Sequence, residues 1–231
     1  MPPELDIIWR NIDYLLWGRL AQGELGGLLL SVVIALASGV LALCVGIALA
    51  ILAWFSTGPV RRVLFLWADL IRGIPLIFVI FWVYFLVPAL FGGNIPGTVS
   101  VILALAWFTS AAVMYSTLSG LQALSGGQRE AALSTGLSEI QTLVWVLLPQ
   151  ALINLVPSYV SLFASLIKDT SLAFIVNVPE LTMVASQVNN RTQLYPTTIF
   201  LFTAAMYFVL CGGLSLLVRR LMRRPVTASW D

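Results

Sequence analysis

Charged residues sit at intervals along this chain, with long apolar runs between them. Residues 25–60, 73–128, 140–167 and 192–218 contain no Asp, Glu, Lys or Arg, whereas a bilayer span needs only about 20 apolar residues. Backbone in hydrocarbon must satisfy its own hydrogen bonds, so these runs predict membrane helices. They lack the short alternating segments of an outer-membrane barrel. Turn residues divide the runs further. The first helix is expected over 26–55, ending before Ser56-Thr57-Gly58-Pro59, and the second over 62–90, ending at Pro88 and the turn from Phe91 to Gly97. The third covers 98–122, the fourth 147–166 and the fifth 198–218, with a polar-punctuated interval at 126–146. Segment 169–190 is apolar but broken by Asp169, Asn177, Pro179 and Glu180. It reads either as a broken continuation or as short helices dipping into the membrane. The expected fold is an all-α membrane protein with five transmembrane helices, or six if that segment crosses. Residues 1–231 form a single domain, because the spans leave no room for a separate soluble one of usual size.

Composition excludes a soluble reading. Apolar residues make up 60% of the chain and charged residues 10%, against about 25% charged in an ordinary soluble domain. The net charge of +2 points to no nucleic acid partner; the arginines are loop anchors. Under a five-helix topology Arg61, Arg62, Arg129, Arg219, Arg220, Arg223 and Arg224 share one side, and Arg10, Arg19 and Arg191 the other. That bias predicts the 126–146 interval and the C-terminus in the cytoplasm, and the N-terminus outside. The N-terminal segment lacks the short hydrophobic core of a cleavable signal, so the first helix is expected to stay in place.

Absences narrow the chemistry. The chain has no His, which excludes His-ligated zinc and His-based triads. Cys44 and Cys211 stand alone in apolar helices, as buried structural thiols do, and imply no metal site. The single lysine, Lys168, has no glycine-rich phosphate loop before it, so ATP is not bound here in the usual phosphate-loop manner.

Three polar features invite a functional reading. In the 126–146 interval, Gln128, Glu130, Ala131 and Ala132 are expected in a short helix after Ser125-Gly126-Gly127. A carboxylate near that N-terminus suits the helix dipole, and small alanines let the helix lie close in a partner's groove. Gly136 allows close approach or ends the helix, and Pro149 suits the first turn of the next one. The plainer reading is an ordinary capped loop. In the fourth helix Asn154, Ser158, Ser161, Ser165 and Lys168 recur at helical spacing and share a face. They line either a water-filled path or a tight helix contact, since serine is favoured between membrane helices. Asp169, next to Lys168, cannot share its helical face; the helix breaks there or the two have separate partners. Thr170 and Ser171 could cap a new short helix that favours anions. In the second helix Arg72 either attracts a substrate carboxylate or snorkels to headgroups with Asp69, three residues earlier, shielding it. Pro75 is expected to kink that helix.

Glu130-Ala131-Ala132, Gly136 and Leu148-Pro149-Gln150 resemble the loop by which permease subunits of binding-protein-dependent ABC importers grip their ATPase. Together with Arg72-Gly73-Ile74-Pro75-Leu76 and Lys168-Asp169-Thr170-Ser171-Leu172 they resemble the polar amino acid permease family. Phe81-Trp82-Val83-Tyr84-Phe85-Leu86-Val87-Pro88 looks most like its glutamate/aspartate members. The chain departs from the family in having Tyr115 and Leu118 where such permeases usually carry a Glu and an Arg. The resemblance implies the type I importer permease architecture and a chain that makes no covalent bond and binds no cofactor itself. It implies a second permease subunit, identical or homologous, two ATPase subunits that use ATP with Mg²⁺, and a periplasmic solute-binding protein. The expected location is a bacterial inner membrane, and the expected cargo is polar amino acids, glutamate or aspartate first. An ion-coupled carrier and a non-transporting scaffold are the competing classes. The first would usually show internal repeats, and the second needs none of the three motifs.

Overall fold

The computed structural model describes residues 3–222. Helix α1 (Pro3–Trp17) leads through a short antiparallel pair, β1 (Gly18–Arg19) and β2 (Glu24–Leu25), into α2 (Gly27–Phe55). Helices α3 (Gly58–Gly73), α4 (Leu76–Phe91), α5 (Gly97–Gln122) and α6 (Gly126–Ser134) follow. The chain then forms α7 (Glu139–Val176), α8 (Leu181–Thr192) and α9 (Pro196–Met222). Among the described residues, α2, α5, α7 and α9 are each long and apolar enough to cross a membrane. The pair α3 and α4 makes a fifth crossing if taken as one span.

The bundle is organised around α2 packed along α5. The α2 side of that seam is small: Ala35, Ser38, Ala42, Gly46, Ala50 and Ala53 are buried, and so are Ala104, Ser110 and Ala111 of α5. Apolar lipid offers little hydrophobic gain for helix association, so close backbone approach through small side chains takes its place. Buried hydroxyls turn back on their own helix, Ser38 Oγ donating to the Ile34 carbonyl at 2.7 Å and Thr117 Oγ1 to that of Val113 at 2.7 Å. At the crossing of α5 with α7, a Cβ on Gly120 would lie 2.5 Å from Leu155 Cδ1, so the helices meet closely here and a larger residue would have to displace that leucine. Ile34, Val79, Ile80, Leu105 and Leu166 fill the central core.

The second expected helix is two helices. Pro75 has no N–H to donate, and its ring disfavours helical geometry at the residue before it. Ile74 is accordingly extended (φ −95°, ψ 135°), and α3 and α4 meet at 102°, a break rather than a kink. The fourth helix starts eight residues earlier than 147, because Ser138 and Gln141 form a capping box at Glu139. A wide turn over Thr142–Leu147, in which the Leu148 N–H reaches back to the Leu143 carbonyl, then carries the helix on. Pro149 therefore lies within a continuous helix and does not begin one. Nor does α7 break at Asp169; it tightens into a 3₁₀ stretch over Thr170–Val176. Beyond Asn177, a short non-helical link ending at Glu180 leads into α8, packed among α1, α2 and α9 through Leu181, Val184, Ala185 and Val188. The N-terminal helix α1, which no apolar run announces, covers α8 with Ile8 and Leu15.

A buried acid joins these elements. Glu180 is 0% exposed; it caps α8 by accepting from the Thr182 and Met183 N–H groups, each at 2.9 Å. It also accepts from Ser31 Oγ of α2 at 3.4 Å and the Tyr207 hydroxyl of α9 at 2.8 Å. Burial pushes its carboxyl up to about 7, against the pull of those four donors. The cysteines are not buried as expected: Cys44 is exposed, and Cys211, partly buried, donates to the Ala164 carbonyl at 3.5 Å. Arg61 and Arg62 in the first turn of α3, Arg129 on α6 and Arg219 and Arg220 in the last turn of α9 gather at one end of the bundle. Arg10, Arg19 and Arg191 lie at the other, with Arg191 over the Tyr14 ring at 5.3 Å. Arg223 and Arg224 fall outside the described residues.

Candidate functional site

Two regions carry the residues singled out in the sequence. The first is α6 with its exit. Nine residues long, α6 ends where Gly136 takes φ +90°, a left-handed conformation costly for any residue with a Cβ. Gln128, Glu130, Ala131 and Gly136 are exposed. Ala132 is buried, on the side by which α6 packs against the Thr142–Leu147 turn. It is therefore a contact within this chain, and only part of the Glu-Ala-Ala sequence faces outward. Glu130 lies in the second turn, beyond the first-turn zone where a helix dipole acts most strongly.

The exit from α6 is fastened on both sides. The Arg129 guanidinium donates twice to the Glu139 carboxylate, once through Nε at 3.2 Å. Ser138 Oγ accepts from the Gln141 N–H at 3.3 Å, and Gln141 Oε1 from the Ser138 N–H at 2.9 Å. An exposed helix and the start of a long span are thus joined as one elbow. Ile140 and Trp145, 64% and 69% exposed, lie just after it. Pro149 is exposed one turn further along α7. The Arg129–Glu139 pair was legible only as ten residues of separation across a turn, a weak signal.

The second region is a face of the bundle. Helix α5 is flanked on one side by α3, where the Phe65 and Tyr115 rings meet edge-on at 5.3 Å. On the other side is α7, where Thr117 Oγ1 and the Tyr159 hydroxyl are 2.8 Å apart and Gly120 meets Leu155. Between these flanks Ala112, Tyr115, Ser116 and Ser119 remain partly or fully exposed, at spacings that define one side of a helix. The predicted polar stripe of α7 adjoins it, and Asn154, Ser158, Ser161, Ser165 and Lys168 are all exposed. Tight packing within this chain is thereby excluded as the reason for those residues. Ser161 donates to the Pro157 carbonyl at 3.1 Å and borders an open cavity of about 470 Å³ between α7 and α9.

Past the stripe the expectations divide. No ion pair joins Lys168 to Asp169 among the described residues. Asp169 and Ser171 are partly buried, and Thr170 is buried with its hydroxyl turned back to the Ile167 carbonyl at 2.7 Å. Thr170 therefore caps no new helix. At the α3 flank, Asp69 does not pair with Arg72. The Tyr115 hydroxyl donates to Asp69 Oδ1 at 2.6 Å, and the Arg72 guanidinium lies over the Tyr115 ring, 5.0 Å from its centre. Sequence reasoning placed Tyr115 but found no role for it, because its partners sit on another helix.

Comparison with known proteins agrees with this architecture. The description "Binding-protein-dependent transport system inner membrane component" matches residues 42–226. The chain is 38% identical over 197 residues to the "Probable glutamine ABC transporter permease protein GlnP" of Bacillus subtilis, covering 84% of this chain and 90% of that protein. It is 31% identical over 210 residues to the "Glutamate/aspartate import permease protein GltK" of Escherichia coli, covering 87% and 92%. A solved amino acid ABC transporter with histidines superposes with a TM-score of 0.77 at 28% identity, covering 86% of this chain and 92% of that one. The MetNI methionine ABC transporter shares the fold, with a TM-score of 0.72 at 18% identity over 84% and 92% of the two chains. With residues 42–226 matched by that description and relatives more than 30% identical along most of its length, the chain belongs to the family of binding-protein-dependent transport system inner membrane components.

Proposed function

We propose that this chain is the translocating permease subunit of an ATP-driven ABC importer for polar amino acids. It would carry them from the periplasm to the cytoplasm without hydrolysing ATP itself. The observation that carries the reading is the exposed helix α6, clamped to α7 by Arg129 and Glu139 and closed by Gly136. Such an element can transmit a push on its outer face to a membrane-crossing helix as a rigid lever. In this reading Gln128, Glu130, Ala131 and Gly136 meet an ATPase subunit in the cytoplasm, while Ala132 holds α6 on α7 and Pro149 shapes the helix behind it. A second permease, identical or homologous, a second ATPase and a periplasmic binding protein complete the machine, and Mg²⁺-ATP is consumed by the ATPases.

The passage is assigned to the open face formed by α3, α5 and α7. Asn154, Ser158, Ser161 and Ser165 provide polar lining, with Arg72, Lys168, Asp169 and Ser171 bordering it; Thr170, buried with its hydroxyl on the Ile167 carbonyl, only supports the helix behind them. Substrate class rests on relatives named for glutamine, for glutamate/aspartate and for L-cystine, so the proposal is polar amino acids, with glutamate and aspartate as one choice among these. The N-terminus lies outside and the C-terminus inside, as the arginine distribution favours. Reconstitution with its ATPase and binding protein in liposomes tests the whole. ATP-dependent uptake of labelled amino acids, stimulated by the binding protein, is expected; uptake driven by an ion gradient without ATP would overturn it.

A further inference from the structure

This inference rests on that reading and names the part of the cargo the open face holds. We propose that Arg72 and Asp69, kept apart by Tyr115, bind the zwitterionic head of a free amino acid, Arg72 taking the α-carboxylate and Asp69 the α-ammonium.

The two charges are three residues apart on α3, so they project from neighbouring positions on one helical face. They would ordinarily pair with each other. Among the described residues the ion pairs are Arg10–Asp6, Arg19–Glu24 and Arg129–Glu139, and neither Arg72 nor Asp69 takes part in one. Tyr115 engages both instead, its ring beneath the guanidinium and its hydroxyl on the carboxylate. A guanidinium stacked on a ring keeps its edge N–H groups free, in the fork that fits a carboxylate. A carboxylate that accepts one hydroxyl still has lone pairs for an ammonium group. Both side chains are exposed, and each lacks the partner of opposite charge that the other could have been.

Position strengthens the argument. Tyr115 is seven residues from the end of α5, about 10 Å inward at 1.5 Å per residue. Charged groups at such depth mark function by default. A carboxylate and an ammonium carried on a single carbon match a guanidinium and a carboxylate on neighbouring helix positions. The site therefore recognises what all α-amino acids share and leaves the side chain to the serine stripe across the α5 face. Amines and carboxylic acids lacking the other group would satisfy only half of it.

The test uses the full chain in lipid nanodiscs with tritiated L-glutamine as probe. Competitors are 4-aminobutanamide, which lacks the α-carboxylate, and glutaramic acid, which lacks the α-ammonium. Each should compete at least about tenfold more weakly than unlabelled glutamine, the loss expected for one charge-assisted contact. Arg72→Gln should erase the preference over 4-aminobutanamide alone, and Asp69→Asn the preference over glutaramic acid alone, with Arg72→Lys retaining part of the first. Such selective losses cannot arise from misfolding, and an unchanged unfolding temperature checks the fold independently. Equal discrimination in wild type and variants, or no saturable glutamine binding at millimolar concentration, overturns the site. If ATP-dependent uptake by the assembled transporter persists in that case, only this inference falls; absent uptake removes the functional reading itself.

Discussion

The Tyr207 hydroxyl donates to the Glu180 carboxylate at 2.8 Å, tying α9 to the start of α8 at a fully buried acid. With Ser31 and two backbone N–H groups on the same carboxylate, this is the polar centre that holds α2, α8 and α9 together.

Burial raises the Glu180 carboxyl from 4.5 to about 7, which makes stability depend on pH. Between those values the folded chain keeps a proton that the unfolded chain has lost, so stability falls as pH rises through that window and is level above it. The loss is on the order of 3 kcal/mol. The thermal unfolding temperature of the detergent-solubilised chain should therefore drop between pH 5 and pH 8. Glu180→Gln should flatten that profile and lower it, since an amide N–H group must face backbone donors. A wild-type profile flat across the window would sink this account.

Gly136 has nothing within 4 Å of where a Cβ would stand, so its need for glycine is conformational. Gly136→Ala should strain the end of α6 by about 1–2 kcal/mol, and Gly136→Leu should add a bulky group to the exposed elbow. Both should leave the chain in the membrane while reducing ATP-driven uptake, the leucine more severely. Normal uptake with leucine would argue against docking at this elbow.

Disconnecting the elbow should uncouple it. Arg129→Ala removes both hydrogen bonds to Glu139. Its effect on stability should be under about 1 kcal/mol, because both partners are exposed. Uptake should nonetheless fall while ATP hydrolysis by the assembled complex continues, and a charge-swapped Arg129→Glu, Glu139→Arg double variant should recover part of it. Uptake and hydrolysis falling together would point to lost docking instead.

Topology is open to labelling. In a variant with Cys44 and Cys211 replaced, Ser125→Cys should react with impermeant thiol reagents only from the cytoplasm, and Asn190→Cys only from outside. Both positions are exposed, at opposite ends of the bundle. Reversed labelling would invert the orientation and remove the ATPase-facing role of α6.

In the same background, Ser161→Cys probes the passage. The change is nearly isosteric, and the position borders the open cavity between α7 and α9. Small water-soluble thiol reagents should modify it and block uptake, and bound substrate should slow the modification. A thiol inert with and without ATP would place this face against a partner helix.

The membrane spans were legible in the sequence because hydrocarbon imposes a local rule: a run without charges must become a helix. Pro75 and Gly136 likewise announced a bend and a helix end through backbone chemistry confined to a few residues, though the bend at Pro75 is a full break and the helix start at Ser138, set by its reciprocal bonds with Gln141, went unread. The helical spacing of Asn154, Ser158, Ser161 and Ser165 put them on one face, but spacing cannot tell which way a face looks; only packing of α7 against α5 and α9 left it open. The same holds for Ala132, turned inward by the elbow, and for Cys44, turned outward. Asp69 and Arg72 lie three residues apart and read as an ion pair; a tyrosine from another helix, 43 residues on from Arg72 in the chain, keeps them separate. Glu180 read as a break in an apolar run, and became a buried cap because Ser31 and Tyr207, far away in sequence, converge on it. Backbone propensity and solvent preference are properties of short segments, whereas exposure and charge partnership are decided by which helices meet.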